Sequence, residues 1–394
     1  PRATVDETVK FMIRLLDEAK EVLPWDVTAD GESNWQGRMT QAAAMGLKCK
    51  ILLFAASPLF NDNEPYCTEA PQEAVTQNLV WYGGYKAELW SQCLQACEEF
   101  FTTLAEKGHY ELAQASGTTC DDYRSAFNKA YFTRDNTELL ISTRIIGKYN
   151  WDWWYYWGEW VPYGGYTPTL EYMEMFPMSD GTPFDFDKAV AENKMFFEEN
   201  DYNKPTRDPR LYETILVNGA KWAGRSVELW NGGRENANST ATETGVYATG
   251  FGLYKFYKEG KGSLAGNYLE WPYLRLAEVY LIYAEALLKN NRPADAIAQV
   301  DKVRARVGLK GLVESNPGKN MEDANVLLEA ILNERACELG LEDVRFFDMI
   351  RYKRADLFTR PLHGLLIERA DGGTGSWSDK PVSYTHLRAH ETVL

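Results

Sequence analysis

A chain of 394 residues is long enough to bury a large core, either as one domain enlarged by insertions or as two domains. Its 45% hydrophobic and 25% charged residues are ordinary for a globular protein. A net charge of −15 argues against nucleic acid or an anionic lipid surface as partner, because phosphate binding rests on clustered Lys and Arg.

The first periodic element is a stripe of Val5, Val9, Met12, Leu16, Ala19 and Leu23, an amphipathic helix that Pro24 ends. Pro1 is not an initiator and the helical pattern is already running by Val5, so the expectation is that the N-terminus is a cut edge. A second helix is predicted over residues 38–57, apolar nearly all round and hence buried, with Pro58 as its stop. A third runs over residues 85–107 and stops at Gly108. Residues 109–268 read differently. Glu138-Leu-Leu-Ile-Ser-Thr-Arg-Ile-Ile146 is a strand candidate between Asn136 and Gly147. Residues 213–217 and 252–257 are weaker strand candidates, and residues 231–250, rich in Gly, Asn, Ser and Thr, read as a long loop.

Helical periodicity then returns. Ala277, Tyr280, Leu281, Ala284, Leu287 and Leu288 share one face; Asn290-Asn291-Arg292 is the turn, and Pro293 suits a first helical position. Ala296, Val300, Val303 and Val307 form the returning stripe. Small residues at Ala284 and Ala296 would let the two backbones approach closely, the tetratricopeptide (TPR) pattern. Further helices are predicted over residues 321–339 and 343–353. The fold expected is mostly α. TPR-like helices at about 4–108 and 269–355 flank a loop-rich, weakly stranded region at about 109–268, within one domain over 1–380. From Val382 the string Val-Ser-Tyr-Thr-His-Leu-Arg-Ala-His-Glu-Thr resembles a translated transposase adapter from library preparation, so residues 381–394 are expected to lie outside the fold.

Six phrases in order resemble the SusD/RagB family. They are residues 47–61 (Leu-Lys-Cys-Lys-Ile-Leu-Leu-Phe-Ala-Ala-Ser-Pro-Leu-Phe-Asn), residues 138–142, the Met175-Phe-Pro-Met-Ser-Asp-Gly-Thr-Pro183 turn, Arg207-Asp-Pro-Arg-Leu-Tyr212, residues 271–286 as a helix, and residues 334–351. The resemblance implies a non-catalytic lipoprotein on the outer face of the outer membrane. It would sit on a SusC-like TonB-dependent transporter and bind oligosaccharide or another nutrient, with residues 109–268 facing the ligand. The family's secretion signal, lipidated cysteine and first helices would precede Pro1.

The densest chemical feature is Trp151-Asp-Trp-Trp-Tyr-Tyr-Trp157 with Trp160, Tyr163 and Tyr166. Aromatic faces can stack on the C–H faces of sugar rings, and Asn150, Asp152 and Glu159 could bond hydroxyls; the other reading is packing against strand, helices or transporter. Trp151, Trp153, Trp154, Tyr155, Tyr156, Trp157 and Trp160 are the candidate ligand-binding residues. Trp81, Tyr82 and Tyr85 read as core or loop anchors. Glu334, Arg335, Glu338, Arg345, Asp348 and Arg351 interleave with Phe346 and Phe347 and read as a buried, mutually paired ion network rather than an acid/base site.

No catalytic residue, metal or cofactor is expected. The six cysteines show no CxxC or metal spacing, and only His109 and His363 stand outside the tail, so HExxH is not available. Gly260-Lys-Gly-Ser263 lacks a phosphate loop's first glycine, since Lys255 stands there. Two rival readings are a glycoside hydrolase using Glu159, Asp180 or Asp185 and a TPR scaffold presenting a basic or Asn-rich groove to a peptide.

Overall fold

The computed structural model describes residues 2–27, 35–67, 69–134, 136–146, 167–198, 201–222, 224–236, 249–256, 268–370 and 382–388. Helix α1 (Val5–Val22) begins with a capping box in which Thr4 and Glu7 each satisfy the other's backbone N–H. The predicted stripe is there, but it is half-buried: Val5, Val9 and Ile13 pack on the edge of the main core. Helix α2 (Gln41–Ala56) is buried on nearly every side, as its composition requires. Its Gly46 lies so close to Leu140 and Leu274 that an added Cβ would come within 3.1 Å of each. Helix α3 (Glu88–Lys107) ends on Gly108, whose φ of +67° is cheap only for glycine.

Helix α4 (Cys120–Phe132), capped by a Thr119–Asp122 box, lies in the stretch expected to be loops and strands. Strand β1 (Leu139–Ile146) follows the prediction closely. Helix α5 (Pro209–Thr214), with Pro209 in its first turn and Asp208 as cap, takes residues 213–214 from a predicted strand. Only Ile215–Leu216 and Gly252–Leu253 remain there as paired strands.

Strand β2 (Tyr268–Arg275) corrects the expectation of helix over 269–275. Pro272 removes a donor that a helix interior needs, and the Trp271-Pro272-Tyr273 run suits a pleated surface. Helix α6 (Leu276–Lys289) starts only afterwards, where the Leu276 N–H donates to Glu138 O. It returns through helix α7 (Pro293–Arg306), and the crossing residues Ala284, Leu287, Ala296 and Val300 are all fully buried. Helices α8 (Ala324–Glu338) and α9 (Arg345–Arg351) complete the array, so the fold is mostly α with short strands.

The chain then forms β3 (His363–Arg369) and β4 (Val382–Arg388), which pair antiparallel from His363↔Arg388 to Arg369↔Val382. Residues 382–388, part of the stretch expected to lie outside the fold, thus pair with β3. Val382 is buried, and the Tyr384 ring meets Phe196 edge-on at 5.6 Å. Alternation of Val382 and Tyr384 sets one face against Leu365 and Ile367, and β3 offers those backbone groups an edge to pair with. Residues 381 and 389–394 lie outside the described residues.

A buried ion network joins the helix array to the β1–β2 ribbon. Arg275 reaches Glu138 (2.7 Å), Glu338 (2.6 Å) and Glu342 (2.8 Å). Arg306 bonds Glu138 and Glu338, and Arg210 bonds Asp208, Glu334 and Glu338. Arg335 and Arg351 share Asp348 at 2.8 Å each. Of the expected mutual network only Arg335, Asp348 and Arg351 pair with one another. Glu334 and Glu338 are buried but take their partners, Arg210, Arg275, Arg304 and Arg306, from outside it. Arg345 is only partly buried, and Phe346 and Phe347 are half-exposed beside them.

Candidate functional site

All seven candidate residues, Trp151, Trp153, Trp154, Tyr155, Tyr156, Trp157 and Trp160, lie outside the described residues, together with Asn150, Asp152, Glu159, Tyr163 and Tyr166. What is described is the ribbon from which they continue. Ile146, the last described residue before them, stands opposite Tyr268, the first after residues 257–267. The described ribbon ends at this pair.

The ribbon is held from beneath. Its root is Glu138, fully buried, whose carboxylate accepts from Arg275, Arg306 and the Ala113 N–H. Irregular register between Leu139 and Ser142 turns the strand as it leaves this root. Further out, Glu270 lies buried opposite Arg144 and accepts from Arg134 (2.6 Å) and from the Ser142 hydroxyl (2.8 Å). It is the one carboxylate on the described ribbon beyond its root, and these partners hold it.

Aromatic rings line the same structure. Trp271 stacks on Phe256 with centroids 4.8 Å apart and planes 26° apart. Phe256 has φ +71°, a left-handed conformation that costs a bulky residue of order 1–3 kcal/mol. The Lys255 ammonium beside it donates to Gly340 O and Glu342 within a cage of Phe127, Tyr131 and Phe256. Burial pushes that ammonium down to about 8, against the opposing pull of Glu342. Tyr273 is 51% exposed, and the Lys50 ammonium sits 4.8 Å above its ring. Trp35, 42% exposed, carries Arg38 at 4.7 Å. The turn after it packs on the ribbon, since a Cβ on Gly37 would meet Ser142 O at 2.8 Å.

Trp271, Tyr273, Phe256 and Trp35 were not singled out by sequence reasoning. The Trp-Pro-Tyr alternation was the available signal, hidden by its adjacency to a strong helix. Beside Tyr273 a groove of about 940 Å³ runs between α1 and α2, walled by Val9, Met12, Ile51 and Phe54. On its lining, Glu278 Oε1 and Arg335 Nη1 have no hydrogen-bond partner among the described residues, although Arg335 Nη2 lies 3.6 Å from Glu278 Oε1.

The other candidates have local roles. Trp81, which donates to Val75 O, and the buried Tyr82 fit the reading as anchors, whereas Tyr85 is exposed and corrects it. Asp180 accepts from the Thr182 N–H and hydroxyl, and Asp185 caps the helix Phe186–Ala191, accepting from the Lys188 N–H. Of the carboxylates of the hydrolase reading, Asp180 thus holds a turn and Asp185 a helix start, while Glu159 lies outside the described residues. Among the described residues no group of three or more His, Cys, Asp or Glu could hold a metal, and no helix is long and apolar enough to cross a membrane.

Comparison with known proteins adds the lineage. A SusD-like protein of Formosa agariphila, P38, is 35% identical over 98 residues, which are 24% of this chain and 19% of that protein. The match thus spans about a fifth of that curated relative. A solved SusD-like protein from Bacteroides fragilis aligns over 99% of this chain and 67% of its own, at 23% identity and a TM-score of 0.65. A SusD-like carbohydrate binding protein from the same species aligns over 99% of this chain and 68% of its own, at 17% identity and a TM-score of 0.62. These solved structures show the fold. The model of the SusD family matches residues 124–376, from within α4 through β3, well over half the sequence, and on that match the chain belongs to the SusD family.

Proposed function

We propose that the protein binds a glycan at the cell surface of an outer membrane, without chemical change, and passes it to a SusC-like TonB-dependent transporter. The observation that carries the reading is the Trp- and Tyr-rich run over residues 151–160, joined to a ribbon that itself presents Trp271 and Tyr273. Stacked rings supply apolar contact to the C–H faces of a sugar, and amide and hydroxyl groups around them supply orientation. Membership of the SusD family, and the carbohydrate binding stated for one solved relative, support the same ligand class. The fixed partners of Glu270, Asp180 and Asp185 favour binding over hydrolysis, because an acid/base pair needs two carboxyls facing a cleft. Attachment to the membrane would be through a lipid anchor.

The test is calorimetry of the full chain against plant and host polysaccharides, with Trp153, Trp154 and Trp157 each changed to Ala. An anchor ring should contribute on the order of 2 kcal/mol, and its neighbours little. Chromatography of the same mixtures checks for product. Sugar release would refute the non-catalytic reading, and unchanged affinity in all three folded variants would move the site away from this segment.

A further inference from the structure

A cavity of about 740 Å³ lies away from the ribbon end, between the Met175–Pro183 turn and helices α7 and α8. Four asparagines line it: Asn316, Asn320, Asn325 and Asn333. Two are fixed in direction. Asn316 Nδ2 donates to Leu312 O and Asn333 Nδ2 to Met175 O, both at 2.9 Å, which leaves each Oδ1 as a held acceptor. The Asn320 Oδ1 accepts from the Glu322 N–H, so its Nδ2 remains a donor. The side chains of Asn325 and Lys319 make no hydrogen bond to other described residues and stand exposed at the rim. The wall is built on the buried Arg304, which reaches Gly181 O, Lys310 O, Ser315 and Glu334.

Besides these amides the lining holds an aliphatic set, Met175, Pro177, Pro183, Val326 and Ala330, and the acids Glu174, Glu329 and Glu334, of which Glu329 pairs with Arg354 and Glu334 with Arg304. The one aromatic side chain lining it, Phe184, has a face covered by the Arg207 guanidinium at 3.6 Å. A sugar site wants open ring faces, and this cavity offers little of that. A polypeptide wants acceptors for its N–H groups, donors for its carbonyls, and apolar ground between them.

We propose that this cavity is a peptide-binding site that takes an extended segment of polypeptide. Its main-chain N–H groups donate to Asn316 and Asn333, its carbonyls accept from Asn320, Asn325 and Lys319, and an apolar side chain rests on Val326 and Ala330. The site lies on the helix array, whereas the glycan reading of this family member rests on a different region. The inference does not depend on that reading.

The experiment uses the full chain labelled with ¹⁵N-asparagine and follows side-chain amide signals by NMR. The probes are the blocked tetrapeptide acetyl-Ser-Leu-Ser-Leu-amide and maltotetraose. The peptide should move the Asn316, Asn325 and Asn333 signals saturably, and the sugar should not. Asn325→Ala should weaken peptide binding about fivefold, the loss of one neutral hydrogen bond, at unchanged melting temperature. Val326→Asp should abolish it. No saturable shift with the peptide, equal or larger shifts with maltotetraose, or an unaltered response in both variants would overturn the proposal.

Discussion

Changing Glu138 to Ala should strike the ribbon at its root. The carboxylate is fully buried and accepts from Arg275 at 2.7 Å, Arg306 at 3.0 Å and the Ala113 N–H at 3.0 Å. Its removal leaves two buried guanidinium groups short of a counter-charge and one amide without an acceptor. Breaking a buried pair from one side typically costs 3–5 kcal/mol, but Glu338 and Glu342 still face Arg275, so about 3 kcal/mol is expected. Urea unfolding followed by circular dichroism should show a lower midpoint at unchanged slope. Glu138→Gln, which keeps an acceptor but not the charge, should fall between. The double change Glu138→Leu with Arg275→Met should lose less than the sum of the two single changes, because an apolar pair no longer has to be solvated. Strictly additive losses, or losses under about 1 kcal/mol in every variant, would show that this network does not hold the ribbon.

Four further outcomes are expected. Ala284→Trp or Ala296→Trp should destabilise the α6–α7 crossing by about 1–3 kcal/mol or more, since both residues are fully buried; a variant as stable as the parent would refute that crossing. Burial raises the acids Glu338, Glu342 and Asp348, but facing guanidinium groups outweigh it and hold all three below their ordinary values. Their stabilisation is therefore present above the ordinary carboxylate range and lost as pH falls through the lowered values; urea midpoints that stay flat down to about pH 3 would contradict this. Lys255, pushed down to about 8 from 10.5, makes the unfolded chain the better proton binder between those values, so the parent should gain stability relative to Lys255→Met as pH rises across that window. Deleting residues 382–394 should uncover Leu365 and Ile367 and lower the melting temperature by several degrees; an unchanged value would favour the reading of this tail as foreign to the fold.

Local periodicity made most helices legible. The Val5–Leu23 stripe, the all-round apolar α2 and the Ala284/Ala296 crossing each depend on residues a few positions apart, and the structure places them as helices. Boundaries were also read where a residue dictates them, as at Gly108 and Pro293. The aromatic run was visible as composition, but which rings share a face depends on backbone direction, and composition does not carry that.

Tertiary structure decided the rest. Residues 268–275 are a strand because β1, some 130 positions earlier, supplies the hydrogen-bond partner; alone, their neighbours pull the reading toward helix. Glu338 could be seen as one charge among several, yet its partners Arg210, Arg275 and Arg306 lie 128, 63 and 32 residues away. The amide-lined cavity gathers Asn316, Asn320, Asn325 and Asn333 against a turn at Met175–Pro183, a juxtaposition that no spacing in the chain announces. A helix is written in contacts a few residues apart; a site is written in contacts between elements, and those are set only when the elements pack.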